Sequence, residues 1–203
     1  MPLPEDFDDS LNEPVIVPHE FEVDLNYLVV SNHRITMEGI DRAENADISE
    51  LEPSLKVEAD YDMISDEIRH RQDIYDGLRR AARNLTMVGL VTRLQHWVAL
   101  YARRIEPQRK PGKPLEKEFE LLEKHLGKGP DDAFFIELKN VRDSVIHADS
   151  QATWTHDKTN RQVALRYVVG AHVDLTEEDI DAAIKKAIVQ IEWYDKRLLE
   201  KHK

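Results

Sequence analysis

The chain has 203 residues and no cysteine, which suits one main domain with a real hydrophobic core and excludes a disulfide framework, a thiolate metal site and a cysteine nucleophile. Seven glycines and a charged fraction of 33% favour long amphipathic helices over turn-rich sheets, so the expected class is all-α. The net charge of −12 is unevenly spread: residues 1–68 hold 3 Lys and Arg against 19 Asp and Glu, residues 69–113 hold 11 against 3, and residues 114–203 hold 14 against 18.

Exposed charges act over only about 8–10 Å in physiological salt, so the basic middle segment can attract a polyanion despite the acidic total. The N-terminus lacks the basic flank and apolar core of a secretory signal, and no stretch approaches the roughly 18 apolar residues of a membrane span. The expectation is a soluble, cytoplasmic protein with no membrane partner.

Residues 1–24 carry Pro2, Pro4, Pro14 and Pro18 among many carboxylates and are expected to form an acidic, mobile arm. Such an arm is a solubilising tail or a mask over the basic segment. A short helix over about 25–46 and a connector to residue 59 follow. From 60 to 105 the apolar residues Ile64, Ile68, Tyr75, Leu78, Ala82, Leu85, Val88, Val91, Leu94, Val98, Tyr101 and Ile105 recur at helical spacing, in one very long helix or two, with Gly77 and Gly89 as candidate kinks. Arg79, Arg80, Arg83, Arg103 and Arg104 lie off that stripe. They are candidate RNA contacts, or simply a solvated helix face.

Three prolines and a glycine between Glu106 and Pro114 must break the helix. A further helix is expected over 115–126, ended by Gly127-Lys128-Gly129-Pro130. The next helix begins near Asp131-Asp132, an acidic start that suits the helix dipole. Phe134, Leu138, Val141, Val145 and Ala148 form its core stripe. With Phe134 at zero, Arg142 falls at about 80° and His147 at about 220°, and Phe135 and Ile146, at about 100° and 120°, make an apolar second face between them. Another part of the chain or a second copy of it must cover that face.

A small hairpin is expected around Asp157-Lys158-Thr159-Asn160, with Trp154 before it as a candidate base-stacking residue. Thr176-Glu177-Glu178-Asp179 has the form of a capping box and opens a final helix whose stripe is Ile180, Ile184, Ala187, Ile191, Tyr194 and Leu198. Neither His147 and His156 with Asp149 and Asp157 nor the acidic group at 60–67 has metal-ligand spacing, so no metal or other cofactor is expected.

A histidine exchanges protons near neutral pH, and an arginine offers a planar, permanently charged fork matched to phosphate oxygens. RNA supplies its own nucleophile, the ribose 2′-hydroxyl, so His147 in proton transfer and Arg142 on the phosphate suffice to cleave it without a metal, leaving a 2′,3′-cyclic phosphate. One histidine does not easily serve as both acid and base in one transition state, and a symmetric pair of chains supplies two. Taken alone, an arginine and a histidine five positions apart are equally a surface arginine and a helix-terminal histidine facing the dipole.

The segment Leu138-Lys-Asn-Val-Arg-Asp-Ser-Val-Ile-His-Ala-Asp149 resembles the signature of the HEPN superfamily: an arginine, a polar residue, a few further residues and a histidine on a late helix. Arg142 and His147 match the arginine and the histidine, and Asp143 takes the polar place, where asparagine is commonest. The resemblance covers about residues 60–203. It implies an antiparallel helical bundle, a homodimer with a composite active site, and a ribonuclease of the toxin or defence type, with RNA as substrate and an antitoxin or regulatory partner. Asn140, Asp143 and Ser144 would orient the catalytic pair. The other reading is a non-catalytic helical module that binds RNA or protein.

Overall fold

The computed structural model of the chain describes residues 17–51, 61–147 and 173–201. Among them there are helices and connecting loops but no strand: α1 (Val17–Leu25), a π-helical turn (Asn26–Val30), α2 (Ser31–Leu51), α3 (Tyr61–Ile105), α4 (Leu115–Leu126), α5 (Asp132–His147) and α6 (Glu177–Lys201). No helix is long and apolar enough to cross a membrane.

Helix α3 is the spine, and Gly77 and Gly89 do not interrupt it. Its C-terminal half is the core of the bundle: Met87, Leu90, Val91, Leu94, Val98, Tyr101, Ala102 and Ile105 are all buried. α1, the π turn and α2 run antiparallel to it, as the contacts Asp24 to Trp97, His33 to Thr86, and Asp47 to Tyr75 show. α6 runs parallel to it, with Glu177 beside Arg83 and Asp195 accepting a hydrogen bond from Tyr101.

The expected arm over 1–24 is corrected at its C-terminal end. Residues from Val17 onward are helical, and Phe21, Leu25 and Val29, spaced by four, are buried against α3, with Phe21 edge-on to Trp97 at 5.9 Å. Pro18 does not prevent this, because the first turn of a helix needs no N–H from that residue. The second helix also runs beyond the expected end at 46, to Leu51. The hairpin expected after α5 lies outside the described residues.

The loop before α4 is fixed by Arg109, which donates to Glu118 (2.7 Å), Glu106 (3.1 Å) and the Lys117 carbonyl (2.9 Å). Glu118 is almost fully buried, so Arg109 is a structural cation, since an unpaired carboxylate there would be strongly destabilising. At the end of α4, Gly127 takes φ +97°, a left-handed conformation that side-chain-bearing residues rarely adopt. α6 opens with reciprocal bonds, Thr176 N–H to the Asp179 carboxylate (2.9 Å) and Asp179 N–H to the Thr176 hydroxyl (3.2 Å).

Asp132 joins the start of α5 to α6. Its carboxylate accepts from the Gly129 N–H (2.9 Å), the Tyr194 hydroxyl (2.9 Å) and the Gln190 amide, and it is 6% exposed. Replacing Asp132 by Ala leaves three buried donors without their acceptor and is expected to cost about 1–3 kcal/mol. Urea unfolding followed by circular dichroism checks this; a midpoint unchanged from wild type would show that the network contributes nothing.

Candidate functional site

Arg142 sits two-thirds of the way along α5, where the helix passes over α3. Its side chain is 16% exposed and its guanidinium is held from two sides. Nη1 donates to Gln95 Oε1 of α3 at 2.7 Å, while Nε (3.0 Å) and Nη2 (2.8 Å) both donate to Asp143 Oδ1. Gln95 in turn donates to the Lys113 carbonyl at 3.3 Å. The other Asp143 oxygen faces Lys139 Nζ at 3.2 Å, and Lys139 reaches Glu116 at the start of α4 at 2.9 Å. Two cations and two carboxylates thus alternate across α4 and α5, and the cluster is neutral overall.

Desolvation pushes the Asp143 carboxyl upward, but the hydrogen bonds and charges of Arg142 and Lys139 outweigh it and hold the group below the usual carboxylate range. Asp143 is therefore an anion at neutral pH. Asn140 is half-buried on the same helix, and Ser144 is fully buried toward the core. His147 closes α5, five residues and about 7.5 Å of helix rise beyond Arg142. Only its backbone place belongs to the described part of the structure. Trp154 lies outside the described residues, as do Asp149, His156 and Asp157.

Comparison with protein-family models, curated proteins and solved structures gives no match.

The other candidate RNA contacts are spread along α3 and carry partners of their own. Arg79 is paired with Asp41, Glu44 and Asp76. Arg80 bonds Asp174 at 3.2 Å, and Arg83 lies between Asp174 and Glu177 at 3.9 and 3.7 Å. Arg103 donates to the Ala99 carbonyl, and Arg104 lies over the Tyr101 ring at 5.7 Å. The structure does not bring these arginines together with Arg142 in one cleft.

Sequence reasoning missed Gln95, Lys139 and Glu116 as partners of the motif. Lys139 could have been found from its spacing of four from Asp143. Gln95 is 47 residues from Arg142, and nothing local marks it. Also missed was a polar cluster joining α2, α3 and the start of α6. The His33 ring bridges the Thr86 hydroxyl (2.8 Å) and Glu177 (2.7 Å) beside a pocket of about 230 Å³ lined by Leu28, Asn32 and Leu85 among others. No three His, Asp or Glu side chains are arranged to hold a metal among the described residues.

A carboxyl held low in the folded chain stabilises it above the group's unfolded pKa, and that contribution is lost as pH falls through the folded value. The loss for Asp143 is accordingly expected on the acid side of the usual carboxylate range. In a carbon-detected NMR titration the Asp143 midpoint should lie below that of an unstructured aspartate and should rise in Arg142→Ala. An Asp143 midpoint unmoved by that substitution would break the assignment of the pair.

Proposed function

We propose that the chain is a metal-independent endoribonuclease that works as a HEPN-type homodimer, with Arg142 on the scissile phosphate and His147 transferring the proton. The observation that carries this reading is the open face beside the motif. Ile146, between Arg142 and His147, is 52% exposed, while Phe135, on the same face about three turns earlier, is fully buried by the chain itself.

The side of α3 next to it is also unfilled. Ile74, Leu78 and Leu85 are 50%, 46% and 65% exposed, and at 100° per residue they share one edge of the helix with Val88 and Thr92. α5 starts beside Tyr194, which packs on Tyr101, and reaches Gln95 at Arg142, so it runs antiparallel to α3. By that register, Ile146, one turn further on, falls opposite about residue 91, near the Val88 and Thr92 end of this edge. A second copy docked there would bury the edge and place a second Arg142 and His147 near the first.

In the proposed reaction one His147 takes the proton of the ribose 2′-hydroxyl, the oxygen attacks phosphorus, and the other His147 protonates the departing 5′-oxygen. Arg142 stabilises the charge that gathers on the phosphoryl oxygens. A toxin or defence role with an antitoxin or regulatory partner accompanies this reading.

A second reading, a non-catalytic RNA- or protein-binding module, is favoured by one observation: the guanidinium of Arg142 already has a carboxylate on its Nε/Nη2 edge. The experiment that separates them is cleavage of end-labelled single-stranded RNA in EDTA. Wild type should leave 2′,3′-cyclic phosphate ends, and His147→Ala should lose about 10²–10⁴-fold in rate. Binding without turnover by wild type, or turnover untouched in both His147→Ala and Arg142→Ala, would remove the nuclease reading.

A further inference from the structure

We propose that the C-terminal part of α2, residues 40–51, is an acidic strap over an RNA-binding face of α3, displaced when a single-stranded RNA backbone competes for Arg71 and Arg79. This rests on the reading above that RNA is the ligand.

The first observation is what holds α2 in place. None of the residues of α2 is buried, whereas α1 and the π turn insert Phe21, Leu25 and Val29 into the core. Met37, Ile40, Ile48 and Leu51 are only half-buried, and the specific contacts that α2 makes with α3 are polar. Asp41 accepts from Arg79 at 2.8 and 3.1 Å, and Glu44 pairs with the same guanidinium. Asp47 accepts the Tyr75 hydroxyl proton, and its backbone carbonyl accepts from Arg71 at 3.3 Å. Water still reaches these pairs, Asp41 being 56% and Arg79 20% exposed, so they weaken with salt. The strap is bound by interactions that another anion can replace.

The second observation is its charge pattern. Carboxylates recur every third residue at Glu38, Asp41, Glu44, Asp47 and Glu50, one per about 4.5 Å of helix rise. Three of them, Asp41, Glu44 and Asp47, reach α3, so α2 presents three negative charges within about 9 Å of helix rise to the basic helix, while Glu38 pairs with Arg34 and Arg42 of α2 itself.

The third is the face underneath. Arg71, Tyr75 and Arg79 are spaced by four on α3 and form one stripe, two guanidinium groups with an aromatic ring between them. Arg79 and Arg71 are 20% and 29% exposed, and Tyr75 is 8% exposed. Phosphates paired to the arginines and a base stacked on the ring is the chemistry by which single strands are held.

The fourth is a place to bend. The His33 bridge to Thr86 and Glu177 fixes the start of α2, and Gly39 follows within two turns. A Cβ at Gly39 would meet nothing within 4 Å, so packing does not require the glycine there. In a helix interior glycine is less favourable than alanine, so Gly39 marks the weakest point between the anchored turn and the strap.

The test uses the full chain, a fluorescent oligouridylate and amide hydrogen exchange. In wild type, exchange over 40–51 should rise with salt and with added oligouridylate, while 17–30 stays protected. Asp41→Asn/Glu44→Gln/Asp47→Asn, which preserves shape and removes three charges, should bind the oligonucleotide about tenfold more tightly or better, and adding Arg71→Ala/Arg79→Ala should abolish the gain. Exchange over 40–51 indifferent to both salt and oligouridylate would overturn the strap, and so would unchanged affinity in the charge-neutral variant. Release by polyglutamate as effective as by oligouridylate would overturn RNA as the occupant. Cleavage is read separately: absence of turnover with the affinity gain intact removes the nuclease alone, and normal turnover without the gain removes the strap alone.

Discussion

The length of α3 is the constraint on which the rest of the molecule depends. Its 45 residues extend about 68 Å, whereas α6, the longest helix packed in parallel with it, has 25 residues and extends about 38 Å. The bundle of α4, α5, α6 and α1 can therefore bury only part of the spine, and it takes the part with the dense apolar stripe from Met87 to Ile105. Between Tyr61 and Thr86 just three apolar residues, Ile64, Tyr75 and Ala82, are buried. That half must be covered by α2, whose sequence offers carboxylates rather than leucines. The two halves of one helix are thus stabilised by different physics: apolar burial at one end, and charge pairing that salt and competing anions weaken at the other.

The same division explains how a strongly basic segment and a strongly acidic one share a chain. The excess of positive charge at 69–113 is largely matched in space by acidic side chains: Arg79 from α2, Arg71 from Glu67 and more distantly Asp47 of α2, Arg80 and Arg83 from Asp174 and Glu177, Arg109 from Glu118. These matches differ in depth. The Arg109 to Glu118 pair is shielded from solvent and fixes a loop, so breaking it would strand a buried charge. The pairs of α2 are wetter and belong to an element with no fully buried apolar residue, so they can exchange. Charge counted along the sequence reveals that an attraction must exist and leaves open which of its pairs are permanent.

How much of this was legible in the sequence follows from the range of each interaction. The α4 helix and the capping box at Thr176 depend on residues within one turn, and both were readable. The N-terminal boundary was misjudged because four prolines and many carboxylates outweighed three apolar residues at spacing four, Phe21, Leu25 and Val29, which need α3 to become a signal. Arg142 was readable as a candidate, and Asp143 as its neighbour. Gln95 was not, since it reaches Arg142 only when α3 and α5 cross. The use of the arginines on α3 was also beyond reach, because a solvated face, a nucleic-acid face and a face paired within the chain have the same composition.

The apolar second face of α5 left open whether the chain or a second copy covers it, and the answer is divided along the helix. Phe135 is enclosed by the chain, Ile146 is not, and Arg142 stands at the boundary, hydrogen-bonded on two sides but still touched by solvent. At such a boundary, a surface that closes over Ile146 removes water from the Arg142 to Asp143 pair and strengthens every charge interaction in it. A guanidinium presents its Nε/Nη2 edge to one oxyanion at a time, so a phosphate that takes this edge must displace Asp143. Lys139, already in contact with Asp143, is positioned to keep the displaced carboxylate neutralised. Access of any phosphate to this edge of Arg142 thus turns on a single exchange, carboxylate for phosphate.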